Sequence, residues 1–267
     1  MTLTAPVTKA ASRTGVPVAA LVVAAVGSLF FLLPLAGLVW RAPWSSLFRE
    51  LGDREVRQAL QLSMVCSLWA TALSLVVGVP LAWVLARAQF RGRKLLRALT
   101  TLPMVLPPVV GGVALLLAFG RNGLIGQWLG IQLPFTTAGA VLAETFVAMP
   151  FLVIAAEAGF RQADQRYEEA ARTLGAKPWT VFRRVTLPLV APSLAAGAVL
   201  CWARALGEFG ATITFAGNFP GRTQTTPLKV YLLLESRPEA AIVLSLVLLA
   251  VSVAVLVGLR QRWLGTG

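Results

Sequence analysis

QALQLSMVCSLWATALSLVVGVPLAWVLA, residues Gln58 to Ala86, runs between Arg57 and Arg87 without one Asp, Glu, Lys or Arg. The hydrocarbon core of a bilayer is about 30 Å thick, and a helix crosses it in roughly 20 residues. This stretch is long enough, and its apolar positions are continuous rather than alternating. It therefore predicts a spanning helix, because a lone segment in lipid must satisfy its own backbone hydrogen bonds and a barrel strand would alternate. Working outward, equally charge-free runs occupy residues 16 to 40, 98 to 120 and 240 to 259. Two further runs carry internal charges: residues 137 to 160 with Glu144 and Glu157, and about 188 to 214 with Arg204 and Glu208. The expectation is an all-α polytopic membrane protein with six transmembrane helices, a single transmembrane domain over residues 1 to 267.

Composition agrees: 57% of residues are hydrophobic and only 13% charged, too apolar for a soluble domain. The net charge of +13 could suggest nucleic acid in a soluble protein. Here the basic residues flank lipid-spanning runs and read as topology, so no nucleic-acid partner is expected. With the N-terminus inside, the inner segments hold Lys9, Arg13, five basic residues from Arg87 to Arg97, six from Arg161 to Arg184, Arg260 and Arg262. That is 15 on the inner side against 8 on the outer loops, which predicts cytoplasmic N and C termini. The first run follows Lys9 and Arg13 like a signal peptide but exceeds the usual core of about 7 to 15 residues, so it is read as a retained helix. Cys66 and Cys201 sit within apolar runs with no partner spacing, and histidine is absent. Neither a disulfide framework nor a metal site is indicated.

Against this background one polar segment stands out, EEAARTLGAKPWTVFRRVTLP, Glu168 to Pro188, within an inner loop of about residues 161 to 187. Asp164 suits an N-cap, and Glu168 and Glu169 complement the positive end of a helix dipole. Tyr167, Ala170, Ala171 and Leu174 recur at three- and four-residue spacing and give one apolar side with two small residues. Gly175 supplies a stop. Pro178 suits the first position of a second helix bearing Trp179, Phe182 and Val185, and Pro188 then restarts the span. A helix, a sharp turn and a second helix are predicted at the inner surface. Taken alone, this pattern also fits an amphipathic interfacial helix.

The spacing resembles the EAA signature of ABC importer permeases. Glu169, Ala170 and Ala171 are followed four residues later by Gly175, then by Val185, Thr186, Leu187 and Pro188, in the loop between the fourth and fifth predicted helices. Val185 stands where that family often has isoleucine. The resemblance implies that this helix docks on a separate ATP-hydrolysing subunit, with Glu169, Ala170, Ala171, Leu174 and Gly175 forming the coupling turn. The chain has no Gly-x-x-x-x-Gly-Lys-Ser/Thr loop. ATP and Mg are thus expected on a partner ATPase, with no cofactor and no enzymatic activity in this chain.

On the outer side, Arg204 and Glu208 are four residues apart on one helix face, where they form either a structural ion pair or part of a pore or its gate. Nearby, Gly207, Gly210, Thr212, Thr214 and Gly217 offer small side chains, backbone and hydroxyls, suited to an anion held loosely or to close helix packing. The candidate path or gate comprises Arg204, Glu208, Phe209, Gly210, Thr212 and Thr214. Pro103, Pro107 and Pro108 predict a kink or irregular stretch in the third helix. Glu144 is expected in an interhelical hydrogen bond, and Glu157 is expected to be wet near the inner end.

The string GEFGATITFAGN, continued by FPGRTQTTPLKVYLLLE, is similar to molybdate permeases of the ABC importer class, as is TLPMVLPPVVGGVALLLAFGRNG, Thr101 to Gly123. Sulfate and thiosulfate permeases share the GEFGA core, the GNFPGRTQTTPL continuation favours molybdate, and tungstate is not separated from it. The likeness implies a bacterial or archaeal inner-membrane importer subunit that works by alternating access. Its implied partners are the bilayer, a second copy of itself, two ABC ATPase subunits and an extracytoplasmic molybdate-binding protein. Rival readings are an ion-coupled secondary transporter or channel using Glu144, Arg204 and Glu208, or a membrane-embedded enzyme. The enzyme reading lacks a nucleophile–base pair or a metal-ligand set.

Overall fold

Apolar continuity and proline placement decide the elements of this computed structural model, which describes residues 17–130 and 132–264. Among the described residues the ordered structure is helical. The chain falls into two units. The first contains α1 (Val18–Trp40), an apolar helix long enough to cross a bilayer, with Pro34 inside it. The expected basic flank at Lys9 and Arg13 lies outside the described residues.

The second unit begins with the short α2 (Leu47–Gly52) and then α3 (Arg54–Arg87), the helix that carries the opening stretch. Asp53 starts α3: its Oδ1 accepts the Glu55 N–H at 2.8 Å and the Val56 N–H at 3.4 Å. Such a cap contributes about 1 kcal/mol by satisfying donors that the first turn leaves unpaired. α7 (Thr137–Gln162) runs parallel to α3, and α10 (Leu187–Leu206) packs antiparallel on α7. Small residues set these approaches, as lipid-embedded helices gain little from burying apolar area and rely on close contact. A Cβ on Gly159 would stand 2.6 Å from Ser193 Cβ, and one on Gly197 would stand 2.9 Å from Ala155 Cβ. Around these contacts the core runs from Leu85, Phe160 and Val190 at the end near α8 (Arg166–Thr173), through Ala70, Ala148 and Cys201, to Leu115, Val147 and Phe215.

The run at 98 to 120 is not one helix. It is α4 (Arg93–Val105) and α5 (Pro108–Phe119), separated by Leu106 and Pro107 in extended conformation with ψ of 131° and 129°. Adjacent prolines cause the break: neither Pro107 nor Pro108 can donate, and a residue before proline is pushed out of the helical region. The proline reading therefore holds, in the stronger form of an interruption. The remaining five candidate spans are long apolar helices.

The fifth span begins earlier and ends earlier than expected. Helix is continuous from Pro178 to Leu206, through α9 (Pro178–Val181), a π-helical turn over Phe182–Thr186, and α10. Pro188 does not restart the span. The Leu187 N–H reaches back to Phe182 O, and the widened turn accommodates a proline that cannot donate to the turn before it. At the other end α10 stops at Gly207, and residues up to 214 belong partly to a separate short helix, α11 (Gly210–Ala216). α12 (Thr226–Ser236) and α13 (Pro238–Leu264) complete the unit, with the four-residue α6 (Gly126–Leu129) lying between α5 and α7.

Candidate coupling turn and translocation path

The segment after α7 folds as the predicted helix, turn and helix. Asp164 Oδ1 accepts the Arg166 N–H at 3.0 Å and opens α8. α8 closes on Gly175, whose φ of +81° lies in the left-handed region that glycine enters without strain. The Gly175 N–H bonds Arg172 O at 2.9 Å and the Ala176 N–H bonds Ala171 O at 3.0 Å, the paired pattern that satisfies the last carbonyls of a helix. Pro178 then takes the first position of α9.

Glu169, Ala170, Leu174 and Gly175 are all exposed, while Ala171 is half-buried. The predicted apolar side points away from the chain: Leu174 is 88% exposed, Trp179 69% and Tyr167 60%. Trp179 stacks on Phe182 with centroids 5.8 Å apart, and Phe182 meets Trp83 edge-on at 5.4 Å, which stiffens the surface next to the turn.

Two residues near this turn have roles that the sequence reading missed. Glu168 turns inward as the buried residue of α8, and its Oε1 accepts from Arg87 Nη2 at 3.0 Å. Glu157 is not wet: its carboxylate is held by Arg97 and Arg161, each at 2.6 Å. The i,i+4 spacing of Glu157 with Arg161 was visible in the sequence. The contacts to Arg87 and Arg97 join residues 81 and 60 positions apart and leave no local signature.

At the opposite end, Arg204 Nη2 meets Glu208 Oε2 at 2.7 Å, so the i,i+4 pair is formed. Glu208 is 1% exposed and its other oxygen accepts the Ala211 N–H at 2.8 Å, tying the end of α10 to the start of α11. The Glu208 carboxylate thus bridges Arg204 on α10 and the first turn of α11 across Gly207. Gly210 and Thr212 are also buried, whereas Phe209 and Thr214 are half-buried. Phe209 packs on Tyr231 at 5.5 Å, and Thr214 donates to Gly210 O at 2.8 Å. A Cβ on Gly210 would stand 2.9 Å from Pro108 Cβ, and one on Gly112 would stand 2.6 Å from Thr214 Cβ, so α5 and α11 are in tight contact. The candidate path residues thus surround the junction of α10, α11 and α5, with Glu208, Gly210 and Thr212 enclosed by the chain itself. The expected interhelical hydrogen bond of Glu144 is not formed among the described residues, although the side chain is 1% exposed.

The GNFPGRTQTTPL continuation folds into a hydrogen-bonded turn whose Thr223, Gln224, Thr225 and Thr226 are buried. Gly221 has φ of +70°, the Thr223 hydroxyl accepts the Phe219 N–H at 2.9 Å, and Gln224 donates to Asn218 at 3.0 Å. The Thr226 N–H donates to Ser63 Oγ at 2.6 Å, Lys229 pairs with Glu55, and Arg237 bonds Asp53 at 2.8 Å.

Four matches bear on this architecture. The chain is 48% identical over 242 residues to a molybdenum transport system permease protein of Mycobacterium bovis, covering 90% of this chain and 92% of the relative. It is 40% identical over 208 residues to a sulfate transport system permease protein of Synechocystis, covering 76% of this chain and 75% of that one. Its fold superposes on a crystal structure of a bacterial ABC transporter that imports alginate, with a TM-score of 0.70 and 19% identity over 93% of this chain and 95% of the other. Residues 78–266 match the model of the binding-protein-dependent transport system inner membrane component. With its apolar helices, the exposed turn at Gly175 and a family match over more than half its length, the chain is a multi-pass membrane protein of that transport-system inner membrane component family.

Proposed function

We propose that this protein is the permease subunit of an ATP-driven importer that carries molybdate inward by alternating access. The carrying observation is the turn closed at Gly175, which displays Glu169, Ala170 and Leu174 on an exposed and stiffened surface. Such a surface suits a docking groove on a separate ATPase, since small residues permit close approach and a closed turn transmits displacement. ATP and Mg belong to that partner. A second copy of the chain completes the pore, two ATPase subunits bind at the α8 end, and a delivery protein meets the opposite end. Placing α8 in the cytoplasm gives the six-span topology with both termini inside.

Substrate is assigned as molybdate on the similarity to molybdenum permeases and on the GNFPGRTQTTPL segment, with tungstate and sulfate as the alternatives. The junction of Arg204, Glu208, Phe209, Gly210, Thr212 and Thr214 is read as the element flanking the path. The Glu208 carboxylate bridges α10 and α11 there, and Phe209 and Thr214 approach the passing ion. The nucleotide and the delivery protein must favour different pore states for hydrolysis to drive transport.

The test is reconstitution of the chain with its ATPase and binding protein in vesicles, comparing ATP-dependent uptake of molybdate, tungstate and sulfate. Molybdate uptake that requires ATP is expected. Sulfate uptake alone overturns the substrate, and uptake driven by an ion gradient without the ATPase overturns the importer reading.

A further inference from the structure

α8 touches the helical bundle through one buried side chain, Glu168, which is 8% exposed while the rest of the helix is exposed or half-buried. Its partner, Arg87, is the last residue of α3, and the same Nη2 also donates to Ala163 O at 3.4 Å. The side chains of Arg87 and Glu168 are 15% and 10% exposed, so the pair is shielded from water and salt on most sides. Beside it lies a polar cavity of about 370 Å³ bounded by Trp83, Arg93, Gln165 and Arg172, so α8 is held there by ionic contact rather than by packed apolar side chains.

From Arg87 the connections continue into α4. Arg93 Nε donates to Leu85 O at 2.8 Å and its Nη2 to Ala86 O at 3.2 Å, while Arg97 Nη2 donates to Leu85 O at 3.3 Å. These guanidinium groups fasten the start of α4 to the last carbonyls of α3. α4 itself buries only Pro103 and ends at the break before Pro108, with Leu95, Leu99 and Val105 exposed. Beyond these contacts, the Arg97 bond to Glu157 of α7 and Leu96 on the core, α4 packs lightly, and it ends at a non-helical joint about which a helix can turn as a body.

We propose that the Glu168–Arg87 pair is a strut that carries displacement of α8 into the α3–α4 turn, and so swings α4 about the Leu106–Pro107 joint. This rests on the coupling role of α8 and names how its motion enters the bundle. Without the strut, α8 is joined to the bundle through the chain on either side, which leads to α7 and α10 and reaches α4 only indirectly, through Arg97 on Glu157 of α7. Both are positioning residues, since neither touches nucleotide or anion.

The test uses the full complex with ATPase and binding protein, in vesicles. Arg87→Glu, Glu168→Arg and the double charge reversal are each scored for ATPase copurification, ATP hydrolysis and molybdate uptake. Each single variant is expected to keep the ATPase bound and to lower uptake per ATP hydrolysed about tenfold, the size of an ordinary coupling loss. The double variant is expected to recover to within about twofold of wild type, since the pair is remade in reverse. Wild-type uptake per ATP in either single variant overturns the strut, as does a double variant that stays uncoupled. Loss of the ATPase from the singles also overturns it, by assigning the pair to assembly. If the wild-type complex itself shows no ATP-linked uptake, the importer reading falls, an outcome that the unsubstituted protein reveals by itself.

Discussion

Replacing Gly175 separates its two possible contributions, backbone conformation and surface. With φ at +81°, any L-residue pays a left-handed penalty there of about 1 kcal/mol, less for Asn, which enters that region more readily. A Cβ at this position meets nothing within 4 Å and Gly175 is itself exposed, so the first atom of a new side chain meets no clash with the chain. Gly175→Ala and Gly175→Trp should therefore destabilise the isolated permease by the same ~1 kcal/mol, about fivefold in the local closed-to-open ratio. Gly175→Asn should leave it close to wild type. If the turn docks in a groove, the indole instead obstructs close approach and costs at least about 2 kcal/mol of binding, some thirtyfold in affinity. The assay is titration of the purified ATPase onto each variant in detergent, with ATP-driven uptake measured in vesicles. Expected is an order of Asn, then Ala, then Trp, with Trp falling far below Ala. Equal affinities for the Ala and Trp variants would refute the docking reasoning and leave Gly175 a purely local turn residue.

Two further substitutions probe the scaffold. Gly112→Ala places a methyl 2.6 Å from Thr214 Cβ and 3.0 Å from Ala211 O, so α5 and α11 must separate; thermal unfolding in detergent should show a loss of about 1–3 kcal/mol, and an unchanged midpoint would show that the two helices are not in tight contact. The hydrogen bond from Arg237, with help from the Glu55 and Val56 N–H groups, holds the Asp53 carboxyl below its usual range, so its stabilisation is complete above about pH 4 and fades as pH falls through the lowered value. Because the pair is partly exposed, its worth is about 1 kcal/mol or less, and Asp53→Asn should remove that acid-dependent part of the melting curve. A variant that follows the wild-type pH profile below pH 4 contradicts the assignment.

Much of the fold is legible along the chain because its determinants act within a few residues. A charge-free run such as Gln58 to Ala86 carries its own reason to be helical in lipid, and Gly175 and Pro178 mark a turn through the dihedral angles that glycine and proline permit. Pro107 and Pro108 announce the interruption of the third span for the same reason. The boundaries of the fifth span were less legible. Pro188 reads locally as a start, yet a π-helical turn lets the helix pass through it, and the stop at Gly207 depends on Glu208 reaching the Ala211 N–H.

What the sequence by itself determined is the apolar runs that become helices, the helix and turn closed at Gly175, and the four-residue spacing that lets Arg204 meet Glu208. What only the tertiary structure decided is which carboxylate faces where. Glu168 and Glu169 are neighbours with the same chemistry, but one helical step of about 100° turns Glu168 to Arg87 and Glu169 to solvent. The partner that makes Glu168 structural lies 81 residues away, at the end of another helix. Hydropathy and turn chemistry cannot encode that meeting, because it exists only once α3, α7 and α10 have packed on their small residues and fixed the distance between the two ends.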